Sequence, residues 1–252
     1  MKKILLIIIA LMLLCALWLL SKPAMSEIGI TYAKPAEAGQ ALTVTWFGVT
    51  TLLIDDGVTQ ILIDGYFSRP SLLDIALERT IEPDLAAIKG MLDRFEINRL
   101  KAVIPVHSHF DHALDSAEIA NQTGAQLMGS TTTAQIAAGS NLAPDQVKVI
   151  ETATVYSVGA FDVTFYPSQH APLATNSAIS GTVTAPLTLP APYTAWKLGQ
   201  AYTLVITHPN GRMLVQGSAG FVPGALAEIE VDAVFLGTGG LPALSRAHQL
   251  AY

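Results

Sequence analysis

Three imidazoles and one carboxylate fall within six consecutive residues, His107-Ser108-His109-Phe110-Asp111-His112, directly after the apolar stretch that ends at Val106. Imidazole nitrogen and carboxylate oxygen are what Zn²⁺ and similar divalent ions take as ligands. His107 and His109 can reach one ion from a turn, while Asp111 and His112 project toward a neighbouring position. A lone histidine in such a place is more often a satisfied loop residue, but crowding of this kind is not explained that way. Cysteine takes no part. The only one, Cys15, lies in an N-terminal apolar run, so thiolate ligation, a thiol nucleophile and a disulfide framework are absent from the rest of the chain.

The elements that must position the cluster begin at Leu42. Leu42–Phe47, Thr51–Asp55 and Gln60–Asp64 read as strands, with Asp56-Gly57 as the hairpin turn between the last two. Pro83, at the first helical position, opens an amphipathic helix to Phe95 with Leu85, Ile88, Leu92 and Phe95 on one face. Lys101–Val106 is a buried strand, and the histidines sit at its C-terminal end, where α/β chains build their sites. Ala113–Gln122 and Thr131–Ala138 read as helices around a strand at Ala125–Met128. Further strands are expected at Val147–Ile150, Val155–Val158, Phe161–Tyr166, Tyr202–Thr207, Met213–Gln216 and Ala233–Leu236. Strands first and strand–helix units later predict an α/β fold of two sheets sandwiched by helices. From Ala171 to Ala195 no residue is charged, and Pro172, Pro186, Pro190 and Pro192 interrupt it. A loop this long inside one domain predicts a lid.

The chain of 252 residues is 51% hydrophobic and 13% charged, with a net charge of -6, which excludes a disordered protein and argues against a nucleic-acid partner. Lys2 and Lys3 precede an unbroken apolar run at residues 4–20, followed by Ala24-Met25-Ser26 as a small-x-small cleavage site. Residues 1–26 therefore read as a signal peptide or N-terminal membrane anchor, and 27–252 as one exported domain. The expected location is periplasmic or otherwise extracytoplasmic, either free or held at the inner membrane through residues 4–20.

The run His107 to His112 matches, without a gap, the His-x-His-x-Asp-His signature of the metallo-β-lactamase superfamily, which the chain resembles over most of Leu42–Gly240. Trp46-Phe47-Gly48-Val49-Thr50-Thr51 is similar to the opening Trp-x-Gly-His-Ser-Thr strand of the phosphodiesterase and lactonase branch, which includes the N-acylphosphatidylethanolamine phospholipase D type. Asp64-Gly65-Tyr66-Phe67-Ser68-Arg69 resembles that branch's Asp-Pro-x-Phe-Ser-x-Arg loop. The resemblance implies an αββα sandwich holding one or two divalent ions, zinc by preference. It places the first on His107, His109 and a later histidine, best matched by His170, and the second on Asp111 and His112. A divalent ion lowers the pKa of its water to about 7 and polarises a carbonyl or phosphoryl oxygen, and Asp111 could orient that water and take its proton. The implied activity is hydrolysis of an ester-type bond, phosphodiester or lactone, in a small-molecule or lipid-like substrate.

Two departures from the pattern stand out. Ser218, in Gln216-Gly217-Ser218-Ala219-Gly220, occupies the place of a metal-bridging aspartate, and a hydroxyl is the weaker ligand. Asp232 precedes a strand and reads as a surface or capping residue. The chain reaches Tyr252 within the helix expected before the family's last strand and last histidine. The implied fold thus lacks its last C-terminal strand, as a truncated product would. His248 falls where that branch has a pocket-lining histidine and is the candidate substrate contact, while His208 reads as a hairpin residue away from the metals. The alternative function is a catalytically impaired or non-catalytic metal-binding protein on the same fold.

Overall fold

The structure, a computed structural model, describes residues 3, 7, 9–14, 42–172 and 177–252. Residues 9–14 are helical, whereas most of the apolar run 4–20 and the Ala24–Ser26 cleavage site lie outside the described residues. Among the described residues no helix is long and apolar enough to cross a membrane. Residues from Leu42 onward belong to a compact unit, Lys34–Tyr252.

Two large sheets, with a further two-stranded pair, make up the described part of that unit. The first contains β1 (Thr43–Trp46), β2 (Leu52–Asp55), β3 (Gln60–Ile63), β5 (Leu100–Ile104), β6 (Gln126–Gly129) and β7 (Val147–Val149), in that spatial order. β1 to β3 are antiparallel, and β3, β5, β6 and β7 run parallel. The second contains β8 (Val155–Val158), β9 (Phe161–Ser168), β11 (Ala201–His208), β12 (Gly211–Gln216) and, parallel to β12, β13 (Ala233–Leu236). Alternation assigns the faces. Ile61 and Ile63 point into a core shared with Phe161, Phe165, Leu204 and Val215, whereas Leu62 and Val103 point outward onto the helices. This is the expected α/β two-sheet sandwich.

The helices are α1 (Leu72–Ala76), α2 (Leu85–Arg94), α3 (Phe110–Ala113), α4 (Ser116–Thr123), α5 (Thr131–Gly139) and α6 (Arg246–Ala251). Three expectations are corrected here. Pro83 stays outside α2, because the Asp84 carboxylate caps the helix by accepting from the N–H groups of Ala86 and Ala87. The helix expected over Ala113–Gln122 is two. The His109 carbonyl accepts from the N–H groups of His112 and Ala113, so the motif itself winds into α3, and α4 follows Asp115. The uncharged segment, from residue 177 on, is a strap fastened to the body. Its Ala191–Pro192 pair (β10) joins Thr80–Ile81 (β4), Leu187 N–H donates to the Gln135 carbonyl of α5, and Trp196, fully buried, anchors its end.

Candidate metal centre

β3 and β5 are adjacent parallel strands, so their C-terminal ends emerge side by side at one edge of the sandwich. Asp64 closes β3 in a left-handed turn, φ +61°, a conformation that aspartate tolerates better than most residues. Its carboxylate is fully buried, with Oδ1 accepting from Val106 N–H at 2.8 Å and Oδ2 from His112 Nδ1–H at 2.7 Å. One aspartate thereby fixes both the strand extension that carries His107 and the helix that carries His112.

His107 Nε2 and His109 Nδ1 stand 3.1 Å apart, and His170, two residues beyond the end of β9 in the other sheet, brings a third nitrogen to the same point. One ligand atom from each of the three lies within 4.8 Å of the others. Two ligands on a tetrahedral zinc with bonds of about 2.0–2.1 Å would be roughly 3.4 Å apart, so the spacing fits. The outer hydrogen bonds agree. His109 Nε2–H donates to the Ile179 carbonyl at 3.2 Å, leaving Nδ1 as a lone pair, and His170 Nδ1–H donates to the Ala171 carbonyl at 2.9 Å, leaving Nε2. Burial, reinforced by the neighbouring imidazoles, pushes His107 well below its usual pKa. Burial with the His170 charge brings His109 to about 4, and burial lowers His170 too. Each shift favours the neutral imidazole, the form that a metal ligand needs.

Asp111 and His112 form a different arrangement. His112 stacks 3.9 Å from the His107 ring with its Nε2 3.7 Å from Asp111 Oδ2. Burial works against its imidazolium form, but the Asp64 and Asp111 carboxylates outweigh it and lift His112 to about 9. Asp111 remains partly exposed to the cavity, with 39% of its side chain accessible. Among the described residues, no group of three or more His, Cys, Asp or Glu side chains converges except His107, His109 and His170.

The facing wall is the turn after β12. Ser218 Oγ accepts from Ala171 N–H at 2.9 Å, next to His170, and Thr50 Oγ1 donates to the Gly217 carbonyl at 3.0 Å. Gly220 packs directly on the His170 backbone, where an added Cβ would stand 2.4 Å from the His170 carbonyl carbon. Between these walls lies a cavity of about 580 Å³. Trp46, Val49, Phe110, Ile179 and Leu236 give it apolar sides, and His109, Asp111, His112 and His170 its polar end. A groove of about 640 Å³ beside Lys89, Asp93 and Gln122 carries no such convergence.

Of the residues singled out from sequence, His107, His109 and His170 meet at one point, Asp111 and His112 adjoin them, and Ser218 lines the same cavity. His248 departs from expectation. Its Nε2–H donates to the Ala219 carbonyl at 2.7 Å and its ring lies against Phe221, so it secures the Ser218 turn and is not among the cavity's lining residues. His208 closes the β11–β12 hairpin, and Asp232 accepts from Arg212 N–H at 2.7 Å; neither is at the site. Two residues were missed. From sequence, Asp64 reads as the end of a strand and the start of a loop motif, not as a support of the site. Asp115 was not singled out, although an aspartate just ahead of Ser116-Ala117-Glu118 looks like a helix cap. Its carboxylate instead accepts from the N–H groups of Phe67 and Ser68 at 2.6 Å each and from Ser68 Oγ–H, locking the loop after Asp64. Burial outweighs those bonds and lifts Asp115 to about 6.

No family model matches the chain. A UPF0173 metal-dependent hydrolase of Pyrobaculum islandicum is 28% identical over 91 residues, 35% of this chain and 32% of that protein. Another of Anaeromyxobacter sp. is 30% identical over 97 residues, 38% of this chain and 30% of that protein. The chain thus spans about a third of the curated relatives it matches. Among solved structures, a mutant of a HARLDQ-motif metallo-β-lactamase from Cronobacter sakazakii is 14% identical, with a TM-score of 0.48 over 88% of this chain and 89% of that one.

Proposed function

We propose that the chain is a metal-dependent hydrolase of the metallo-β-lactamase superfamily, of the phosphodiesterase and lactonase branch, cleaving an ester-type bond in a small or lipid-like substrate. The observation that carries this reading is the convergence of three histidines from the ends of two sheets, beside a carboxylate, in a cavity of substrate size. The partial similarity to proteins named metal-dependent hydrolases supports it. Export, to the periplasm or another extracytoplasmic space, belongs to the same reading and is supported by Lys2, Lys3 and the apolar run after them.

His107, His109 and His170 would hold the divalent ion, which when bound supplies Lewis acidity and lowers the pKa of water. The remaining work falls to side chains. Asp111 Oδ2 accepts a proton at the open face of the cavity. His112, its ring fixed by Asp64, keeps that carboxylate oriented across 3.7 Å. Trp46, Val49 and Ile179 present apolar surface to the acyl or alkyl part of a substrate and exclude water around it.

Ser218 favours a second reading, a metal-binding protein with impaired turnover, because no carboxylate stands at that place. Turnover of a chromogenic phosphodiester and of a lactone, with zinc or with chelator, separates the two. Chelator-sensitive hydrolysis lost in His107→Ala supports the hydrolase, and metal-loaded protein inert toward both substrates refutes it. Fractionation of cells expressing the full chain tests export.

A further inference from the structure

We propose that the chain binds one divalent ion, at His107, His109 and His170, and that Ser218 is what leaves the adjoining position beside Asp111 and His112 without one. This rests on the metal-dependent reading above, and it sets the chain apart from the two-ion arrangement that the family resemblance implies. A protein-held zinc ion needs about three protein ligands before water completes its shell. Beside Asp111 and His112 the described residues offer only two. His112 gives its Nδ1 to Asp64, leaving one nitrogen, and Asp111 gives a carboxylate. Where the family resemblance puts a third, the same cavity is lined by the neutral hydroxyl of Ser218, which already accepts from Ala171 N–H.

The turn cannot rearrange cheaply to supply another ligand, because it is held from several sides. Gln216 Nε2–H donates to the Gly220 carbonyl and, at 2.9 Å, to Ser168 Oγ. Tyr252 Oη–H reaches the carbonyls of Ser218 at 3.0 Å and Gly237 at 3.1 Å, and His248 holds Ala219. On the inner side Gly217 lies so close to Val106 that an added Cβ would stand 2.2 Å from Val106 Cγ2. A turn gripped this firmly presents whatever side chain stands at 218 in one place. A carboxylate there, in the cavity that Asp111 and His112 also line, would offer the third ligand that the hydroxyl does not.

The test is metal content of the full chain after zinc loading and removal of free ion, measured by mass spectrometry of the elements. The expected values are one ion in the wild type, one in Ser218→Ala, two in Ser218→Asp and none in His107→Ala. Two ions in the wild type overturn the proposal. So does loss of the ion in Ser218→Ala, retention of it in His107→Ala, or a Ser218→Asp variant that melts cooperatively and still holds one. Should Ser218→Asp fail to fold, the wild-type and His107→Ala values decide alone. No ion in the wild type overturns this proposal and the hydrolase together, whereas one ion without hydrolysis supports the single-ion site and refutes only the hydrolase.

Discussion

Asp64→Asn tests whether the motif is positioned by a buried carboxylate. The substitution preserves shape, and the amide oxygen can still accept from Val106 N–H. The other atom, now an NH₂, faces His112 Nδ1–H across 2.7 Å, so two donors meet where a donor met a carboxylate. With Asp64 fully buried, no water relieves the clash. Leaving one buried donor unpaired costs about 1–3 kcal/mol. At about 2–4 °C per kcal/mol for a domain of this size, melting should fall by about 2–12 °C. Asp64→Ala orphans both donors and should cost about twice as much. The imidazole, lifted to about 9 between its two carboxylates in the wild type, escapes the clash only by giving up its Nδ1 proton while keeping Nε2–H toward Asp111. Zinc content of Asp64→Asn should nonetheless stay at one per chain, since the three converging histidines to which the proposal assigns the ion are untouched. The assay is paired thermal melting and metal analysis at pH 7. A variant as stable as the wild type to within about 0.5 kcal/mol, the usual range for surface changes, would refute the reasoning.

Asp56, at the opposite end of β3, accepts from Val58 and Thr59 N–H at 2.8 and 2.6 Å and faces His208 Nε2 at 3.4 Å. Burial alone would raise its pKa, but those bonds together hold it below the usual value. Its charge-linked stabilisation is therefore complete above about pH 4 and fades as pH falls through the lowered pKa. Asp56→Ala should cost about 1–3 kcal/mol at pH 7 and less at pH 3 by denaturant melting, with metal content unchanged; an equal gap at both pH values would contradict this. Gly220→Ala forces a Cβ against the His170 backbone and should weaken zinc binding at least about tenfold in competition with a chelator. An unchanged affinity would mean that the contact does not set His170. Trp196→Ala empties the anchor of the strap, with a cost of about 3–5 kcal/mol and new proteolytic cleavage among residues 177–199. Wild-type melting and cleavage would show that the strap is held by its backbone bonds alone.

What could be read from the sequence was what is local. Ile61-Leu62-Ile63 and Ala102-Val103-Ile104 announce strands buried on both faces, and the six-residue motif announces its own chemistry, because every part of these signals lies within a few positions. Asp64 and Asp115 stayed illegible as supports because each acts on a partner more than forty residues away, Val106 and Phe67. The β4–β10 pair joins two dipeptides from distant segments, too short for any periodicity. His248 was placed in the right helix, but the direction in which that helix docks onto the Ser218 turn is a tertiary fact that spacing does not carry.

The three converging histidines come from different halves of the sandwich: His107 and His109 leave the first sheet after β5, and His170 leaves the second after β9. An ion held between them would therefore act as a reversible cross-link, a staple through the open end of the two layers. Its contribution scales with free metal, reaching about 2.7 kcal/mol when the ion is at a hundred times its Kd. Away from it, in the β2–β3 turn, Asp56 faces His208 across 3.4 Å, and the depressed pKa of Asp56 ties that contact to protons. The molecule would thus have one seam sensitive to acid and another to metal starvation, and withdrawing metal should loosen it first at the edge where the three histidines meet.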